Sequence, residues 1–477
     1  MRNRRSLWIA VALFTTAAAC APNGSVDTNR TKNSAVSTTV DPTTPIVPDR
    51  ELTVVTQYQP ENAKFGYRVA IERGMVFASA PGVPTQSEGA VFASSYSDGW
   101  STPEYVMSSW DWRFGRDLAV HNLNAVASAA ETRSALFGNR SGAILVNAAP
   151  MNSALINSFR MTGLYSVSSD DVGRAIAISN SYVAVSAPMR GAFTVPSPHV
   201  AIGPLDSSRA SENVVTVGPG DVVTNGSFGT SLAMNDSTLV VGAESTFGGK
   251  GSVFVYNRSG SDWTLAQRID GSAGEAFGTD VSLVGSRLVV GAPGLRQGAV
   301  YVCDKSGANW TCPNRLAHPN GSATGARAFG QSVAISPDGT KIAVGAPWAL
   351  GMTCCPGEAF AYELRDSTWT LTRTLRPNNP TNGDLFGNSV GIDAGVVVVG
   401  APKGAGSVSI FGTPTTDRRA PRATVEFETP TVGSPVASRI SMQGGAADGF
   451  IGTLTAWDRN FNPWGATFPK RHQSTNW

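Results

Sequence analysis

Between about residue 65 and residue 411 the chain is punctuated by short apolar runs: Leu239–Ala243, Leu288–Ala292, Ile342–Ala346 and Val396–Ala401. Each is too short for a helix, has no polar face and ends in Gly-Ala, so each is expected to be a strand buried on both faces. The terminal Gly-Ala would let a neighbouring sheet approach closely. A second apolar stretch, such as Ser332–Ile335, precedes each run. A turn sequence such as Ser336-Pro337-Asp338-Gly339 separates the two, which is the pattern of an antiparallel pair.

The pattern repeats. Four segments align directly, starting at Phe228-Gly229, Phe277-Gly278, Phe329-Gly330 and Phe386-Gly387; three weaker copies start at Phe65-Gly66, Phe114-Gly115 and Val172-Gly173. The anchors lie 49, 58, 56, 49, 52 and 57 residues apart. That period suits four strands with their loops, one blade of a propeller. Strand a follows the Phe-Gly and strand b is the Gly-Ala run. Strand c is typified by Gly298–Val302, and strand d is marked by Trp263, Trp310, Trp369 and Trp100. The Phe and Trp side chains are expected to form the core between blades.

The Phe-Gly and Gly-Ala-Pro pairs are the FG-GAP signature, so residues 50 to 411 resemble the propellers of integrin α-subunits and their bacterial relatives. The match is sharpest in the last four copies. The resemblance implies an all-β fold, a seven-bladed β-propeller of four-stranded FG-GAP-type blades. It further implies that the b–c loops and the loops from strand d to the next strand a share a ligand-binding face. Leu52 to Gln59 reads as a strand d without a blade of its own, expected to pair with Ser407 to Phe411 and close the ring. The expected propeller spans 49–417. In the extension, 418–477, Ile451 to Trp457 and Trp464 to Phe468 could form a hairpin.

Composition narrows the setting. Only 15% of residues are charged, 51 are glycine and the net charge is +2, which argues against a nucleic-acid partner. Residues 1–19 read as a signal peptide, with a basic Met1–Arg5 and an apolar Leu7 to Ala19. The following Ala17-Ala18-Ala19-Cys20 resembles a bacterial lipobox, making Cys20 the lipidation residue. Ala17 stands where such motifs usually carry Leu, which leaves ordinary secretion as the alternative. Residues 20–48, rich in Ser, Thr, Asn, Asp and Pro, read as a disordered tether; at about 6 Å × √n it would span roughly 30 Å.

Four other cysteines remain. Cys303 and Cys312 flank a hairpin-like stretch and are expected to bond across it; Cys354 and Cys355 are adjacent, and a strained vicinal disulfide is weighed there against free thiols or a soft-metal site.

Chemical motifs are sparse. The a–b turns, including Asn235-Asp236-Ser237 and Ser336–Gly339, do not offer the three carboxylates of a calcium loop. Gly387-Asn388-Ser389-Val390-Gly391 matches a nucleophile pattern, but the other copies place Ser389 on an ordinary strand a. The four histidines (His121, His199, His318, His472) include no pair at metal-ligand spacing, so no metal or cofactor is expected. Acidic pairs such as Asp170-Asp171 read as solvated turns. Trp110, Trp112, Lys250, Arg296, Trp348 and Met352 fall on the loops expected to share one face, where aromatic and Arg side chains make good recognition anchors. The leading expectation is therefore a monomeric, non-catalytic surface protein binding a protein or glycan. The rival is an envelope polysaccharide hydrolase or lyase, which acidic residues gathered with Arg at the mouth of the central channel would favour; a purely structural envelope module is a third.

Overall fold

The computed structural model describes residues 41–414, apart from intervals of which the longest are 54–62, 148–157, 161–172, 188–197, 206–213 and 348–355, and four short strands between 422 and 467. The fold is an all-β propeller. In the sixth copy, Ser332–Ile335, Lys341–Ala346, Glu358–Arg365 and Thr368–Leu375 pair antiparallel in sequence order, and the third, fourth and fifth copies build the same four-stranded sheet. Strand b is deeply buried: every residue of Thr238–Ala243 and Val396–Ala401 is buried, as the doubly apolar pattern requires.

Among the described residues these sheets number six, not the expected seven. The first two copies share one eight-stranded sheet, in which Glu104–Trp112 meets Ala125–Arg133 through a single pair, Trp112 with Glu131. The innermost strands of all seven copies nevertheless neighbour one another in order, and the last neighbours the first.

The motif residues explain the ring. The phenylalanines Phe65, Phe114, Phe228, Phe277, Phe329 and Phe386 are buried between sheets. The Gly of each Gly-Ala-Pro faces the Gly of the next Phe-Gly: a Cβ on Gly345 would stand 2.0 Å from the Gly387 carbonyl oxygen, and one on Gly400 2.0 Å from that of Gly66. Gly387 itself adopts φ +93°, a region other residues enter with strain. Trp263, Trp310 and Trp369 lie buried on strand d. Trp100 is different: it bridges Tyr96 ahead of its strand d, Glu104–Trp112.

Closure uses the expected partner but an earlier segment: Arg50–Leu52, which overlaps the expected Leu52 to Gln59 only at Leu52, pairs antiparallel with strand c of the last copy, Leu52 facing Val408, while 54–62 lie outside the described residues. The N-terminal segment holds a surprise for the reading of 20–48 as tether. Pro45–Ile46 pairs parallel with Thr374 and Leu375, and Thr374 Oγ1 donates to the Pro42 carbonyl at 2.9 Å. Residues 41–48 therefore belong to the folded body, because a β edge offers them backbone partners that composition does not reveal. Cys303 and Cys312 are bonded across strands c and d of the fifth copy. Near the C-terminus Thr453–Trp457 pairs with Pro463–Thr467, as expected, and Arg422–Phe427 pairs with Ser438–Gln443.

Candidate functional site at the channel mouth

Strand a starts where strand b ends, since Ser332 pairs with Gly345. The residues just after each Phe-Gly therefore sit at the end of the ring where the b–c loops emerge. The first position after the glycine reads Tyr67, Arg116, Arg174, Thr230, Thr279, Gln331 and Asn388 through the seven copies. All seven line one polar cavity of about 200 Å³, together with Arg68 and Glu244. The repeat turns a sequence column into a rim.

The second position reads Arg68, Asp117, Ala175, Ser231, Asp280, Ser332 and Ser389, and these line the channel below. Several tie one copy to another. Asp117 Oδ2 accepts the Ile176 N–H at 2.8 Å, Asp280 Oδ2 that of Val333 at 2.8 Å, and Ser332 Oγ that of Val390 at 3.1 Å. Ser389 Oγ accepts the Val69 N–H at 3.0 Å and closes the series. The hydroxyl of the nucleophile-like Gly-Asn-Ser-Val-Gly stretch is thus a ring tie on strand a.

Arg68 alone places a cation among these residues. Its Nε lies 3.0 Å from Asp117 Oδ1. Desolvation pushes the Asp280 carboxyl up to about 6, against the pull of Arg68, and raises Asp117 as well. At the rim, Arg174 Nη2 lies 3.4 Å from Glu244 Oε1, while the Thr279 hydroxyl donates to Glu244 Oε2 at 3.2 Å. Acidic groups and arginines therefore do gather in the channel and its mouth.

The far end of the ring is tied shut differently. Arg73 N–H donates to Asp393 Oδ2 at 2.6 Å, and Asn180 Nδ2 to Asp236 Oδ2 at 3.1 Å. Asp338 accepts the Thr340 N–H within its own turn. The a–b turn carboxylates thus serve as structural acceptors.

The residues expected on the loop face fare unevenly. Trp110 and Trp112 lie on strand d of the first copy, Glu104–Trp112, not on a loop, because the strand runs on to the junction with the second copy. Lys250 is exposed after the one-turn helix Thr246–Gly249, and its carbonyl accepts the Phe277 N–H. Arg296, Trp348, Met352, Cys354, Cys355 and the lipidation candidate Cys20 lie outside the described residues, as do Asp170, Asp171 and His472. The apolar positions that define the copies do not mark the mouth; its signal lies in the polar columns immediately after Phe-Gly.

The FG-GAP repeat family model matches residues 263–303 and 369–411. Each match begins at a Trp of strand d and ends in strand c of the following copy, one strand out of phase with the sheets. A search of curated proteins finds none that matches. Among solved structures, the chain is similar to the WD40 domain of Toxoplasma gondii coronin, at 10% identity and TM-score 0.45, covering 79% of this chain and 90% of that one. It is also similar to a hypothetical selenium-binding protein from Sulfolobus tokodaii, at 12% identity and TM-score 0.41, covering 64% and 78%.

Proposed function

We propose, from the premise that the chain is an FG-GAP repeat β-propeller, that it is a non-catalytic binding protein of the bacterial cell surface. It engages a protein or glycan through the face on which the channel mouth opens. The carrying observation is the polar rim, in which seven repeat copies each place one hydrogen-bonding side chain around a single cavity. A rigid ring that converges such groups gives orientation and specificity at low ordering cost. The b–c loops, which leave the sheets at this end of the ring, would extend the contact.

Export and anchoring rest on the first twenty residues, with Cys20 carrying lipid; secretion without lipid is the alternative. Among the described residues no helix is long and apolar enough to cross a membrane. Incubating the protein with envelope fractions and a glycan array would identify the ligand. A variant with the mouth filled, Gln331→Trp, should lose it.

One observation favours a second reading, that of a polysaccharide hydrolase or lyase. Asp280, with its raised carboxyl pKa, lies in the channel with Arg68 and Asp117, and such carboxyls can act as general acids. Release of reducing or unsaturated ends from an envelope polysaccharide, abolished by Asp280→Asn, would establish that reading over the first.

A further inference from the structure

The second residue after each Phe-Gly ties its copy to the next, with one exception. Asp117, Asp280, Ser332 and Ser389 each accept a backbone N–H from the following copy. Arg68 makes its tie as an ion pair with Asp117, and the Ser231 hydroxyl donates to the Gly278 carbonyl at 2.9 Å. The third copy carries Ala175 at this place. A methyl group has no hydrogen bond to give or take. The Leu232 N–H, which matches those of Ile176, Val333, Val390 and Val69, therefore receives nothing from this column. Within it, the third-to-fourth junction is the one without a tie.

Two further departures fall on the same junction. Ser186 ends strand b of the third copy where Gly242, Gly291, Gly345 and Gly400 end theirs. A Cβ on any of those glycines would stand 2.0–2.1 Å from the carbonyl oxygen of the next Phe-Gly glycine. Ser186 carries a real Cβ, so the two backbones stand further apart here. Ser79 and Ser128 share that feature but not the missing tie. The second departure is Glu244, which follows strand b of the fourth copy where the others carry proline or, in the second copy, alanine. Its Oε1 lies 3.4 Å from Arg174 Nη2 across the junction, and its Oε2 accepts the Thr279 hydroxyl at 3.2 Å. One side chain thus joins the third, fourth and fifth copies at the mouth. Arg174 and Glu244 are both partly exposed, and water and salt weaken such a pair. The far end of this junction is held differently, because Asp236 accepts from both the Asn180 side chain and the Ser181 N–H.

We infer that the ring opens at the third-to-fourth junction, hinged at the far end, and that Glu244 is the latch that holds its mouth end closed. Arg174, Thr230 and Glu244 line the mouth cavity, so opening here widens it. The inference needs no ligand and stands whether or not the mouth is the binding site.

The test is thiol labelling of the whole protein at two matched buried positions. Ala184 and Ala343 occupy the same place on strand b of the third and sixth copies, and both are fully buried. Ala184 packs in the core shared with the fourth copy, Ala343 in the core shared with the seventh. Cysteine is a small hydrophobe suited to either site, and peptide mass spectrometry separates each new thiol from the native ones. Well below the melting temperature, Ala184→Cys should label on the order of tenfold faster than Ala343→Cys. Adding Glu244→Gln should accelerate the first by roughly threefold to tenfold and leave the second unchanged. Adding Ala175→Ser, which supplies the hydroxyl that Ser332 and Ser389 use, should slow the first by a similar factor. If Glu244→Gln does not fold, Ala175→Ser decides alone, and slower labelling at position 184 is the required result. Equal labelling at the two positions would overturn the opening. Unchanged labelling in Glu244→Gln, or equal acceleration at both positions, would overturn the latch. Unchanged labelling in Ala175→Ser would overturn the missing tie as the cause.

Discussion

The Ser389 hydroxyl oxygen accepts the Val69 backbone N–H at 3.0 Å, joining the last copy to the first across 320 residues of chain. It is one of several links at this seam. Phe65 bridges Gly406, Asn388 Nδ2 donates to the Tyr67 carbonyl at 3.0 Å, and Asp393 accepts the Arg73 N–H. Strand Arg50–Leu52 adds the outer pairing with Ser407–Phe411. The seam therefore uses the same inner ties as other neighbouring copies, with one borrowed strand outside them.

The two layers of the seam should separate on truncation. Removing residues 1–40 is expected to leave the melting temperature unchanged. Removing residues through Leu52 strips the edge of the last sheet and should lower it sharply, with association visible in light scattering. Ser389→Ala, which leaves the Val69 N–H without its acceptor, should cost about 1–3 kcal/mol in denaturant unfolding. A monomeric, equally stable product of the longer truncation would show that the outer strand does not close the ring.

Close approach of backbones makes a sharper stability prediction. Gly345→Ala places a Cβ 2.0 Å from the Gly387 carbonyl oxygen, with no flexible side chain to yield. It should cost at least about 3 kcal/mol, since two packed sheets must move apart. Gly260→Ala, in an open c–d turn at φ +62° with nothing within 4 Å, should cost only about 1 kcal/mol. Equilibrium unfolding of the two variants reads the difference.

Much of this was legible beforehand. Repetition exposed the blades, because Phe-Gly and Gly-Ala-Pro each answer a packing demand that recurs at every junction. Leu52 could be placed opposite the last copy for the same reason: the register leaves one strand c without a partner. What escaped was local pairing with no compositional mark. Nothing in Pro45–Ile46 shows that it will pair with Thr374 and Leu375. The fusion of the first two copies turns on one pair, Trp112 with Glu131, set by where strand d stops. The mouth escaped for another reason, since Arg116 or Gln331 taken alone is an ordinary surface residue until the ring brings the copies together.

Acid should favour the channel. Desolvation raises the Asp280 carboxyl from 3.8 to about 6, so the folded state holds this proton more tightly than the unfolded chain. The contribution is complete below the unfolded value and is lost as pH rises through about 6; Asp117 shifts in the same direction. Wild type should therefore lose more stability than Asp280→Asn between pH 5 and pH 7.5, by on the order of 1 kcal/mol, read by melting at both pH values. Parallel losses in the two proteins would remove Asp280 as the cause.

Reduction should affect the fifth copy locally. The Cys303–Cys312 bond closes a sequence separation of 9. Replacing both cysteines by alanine should cost about 2–3 kcal/mol by the loop-entropy relation, without loss of ligand, since strands c and d of this copy lie outside the mouth. Denaturant unfolding and the envelope pull-down measure the two effects separately.

The most direct measurement is the affinity of the ligand retained from the envelope fraction for wild type, Gln331→Trp and Cys303→Ala/Cys312→Ala, with folding matched by melting. If the mouth is the site, an indole at position 331 fills the cavity and affinity falls on the order of a hundredfold, while the disulfide variant binds as wild type does. Wild-type affinity in a folded Gln331→Trp protein would contradict the account and move recognition away from the ring of residues that follows each Phe-Gly.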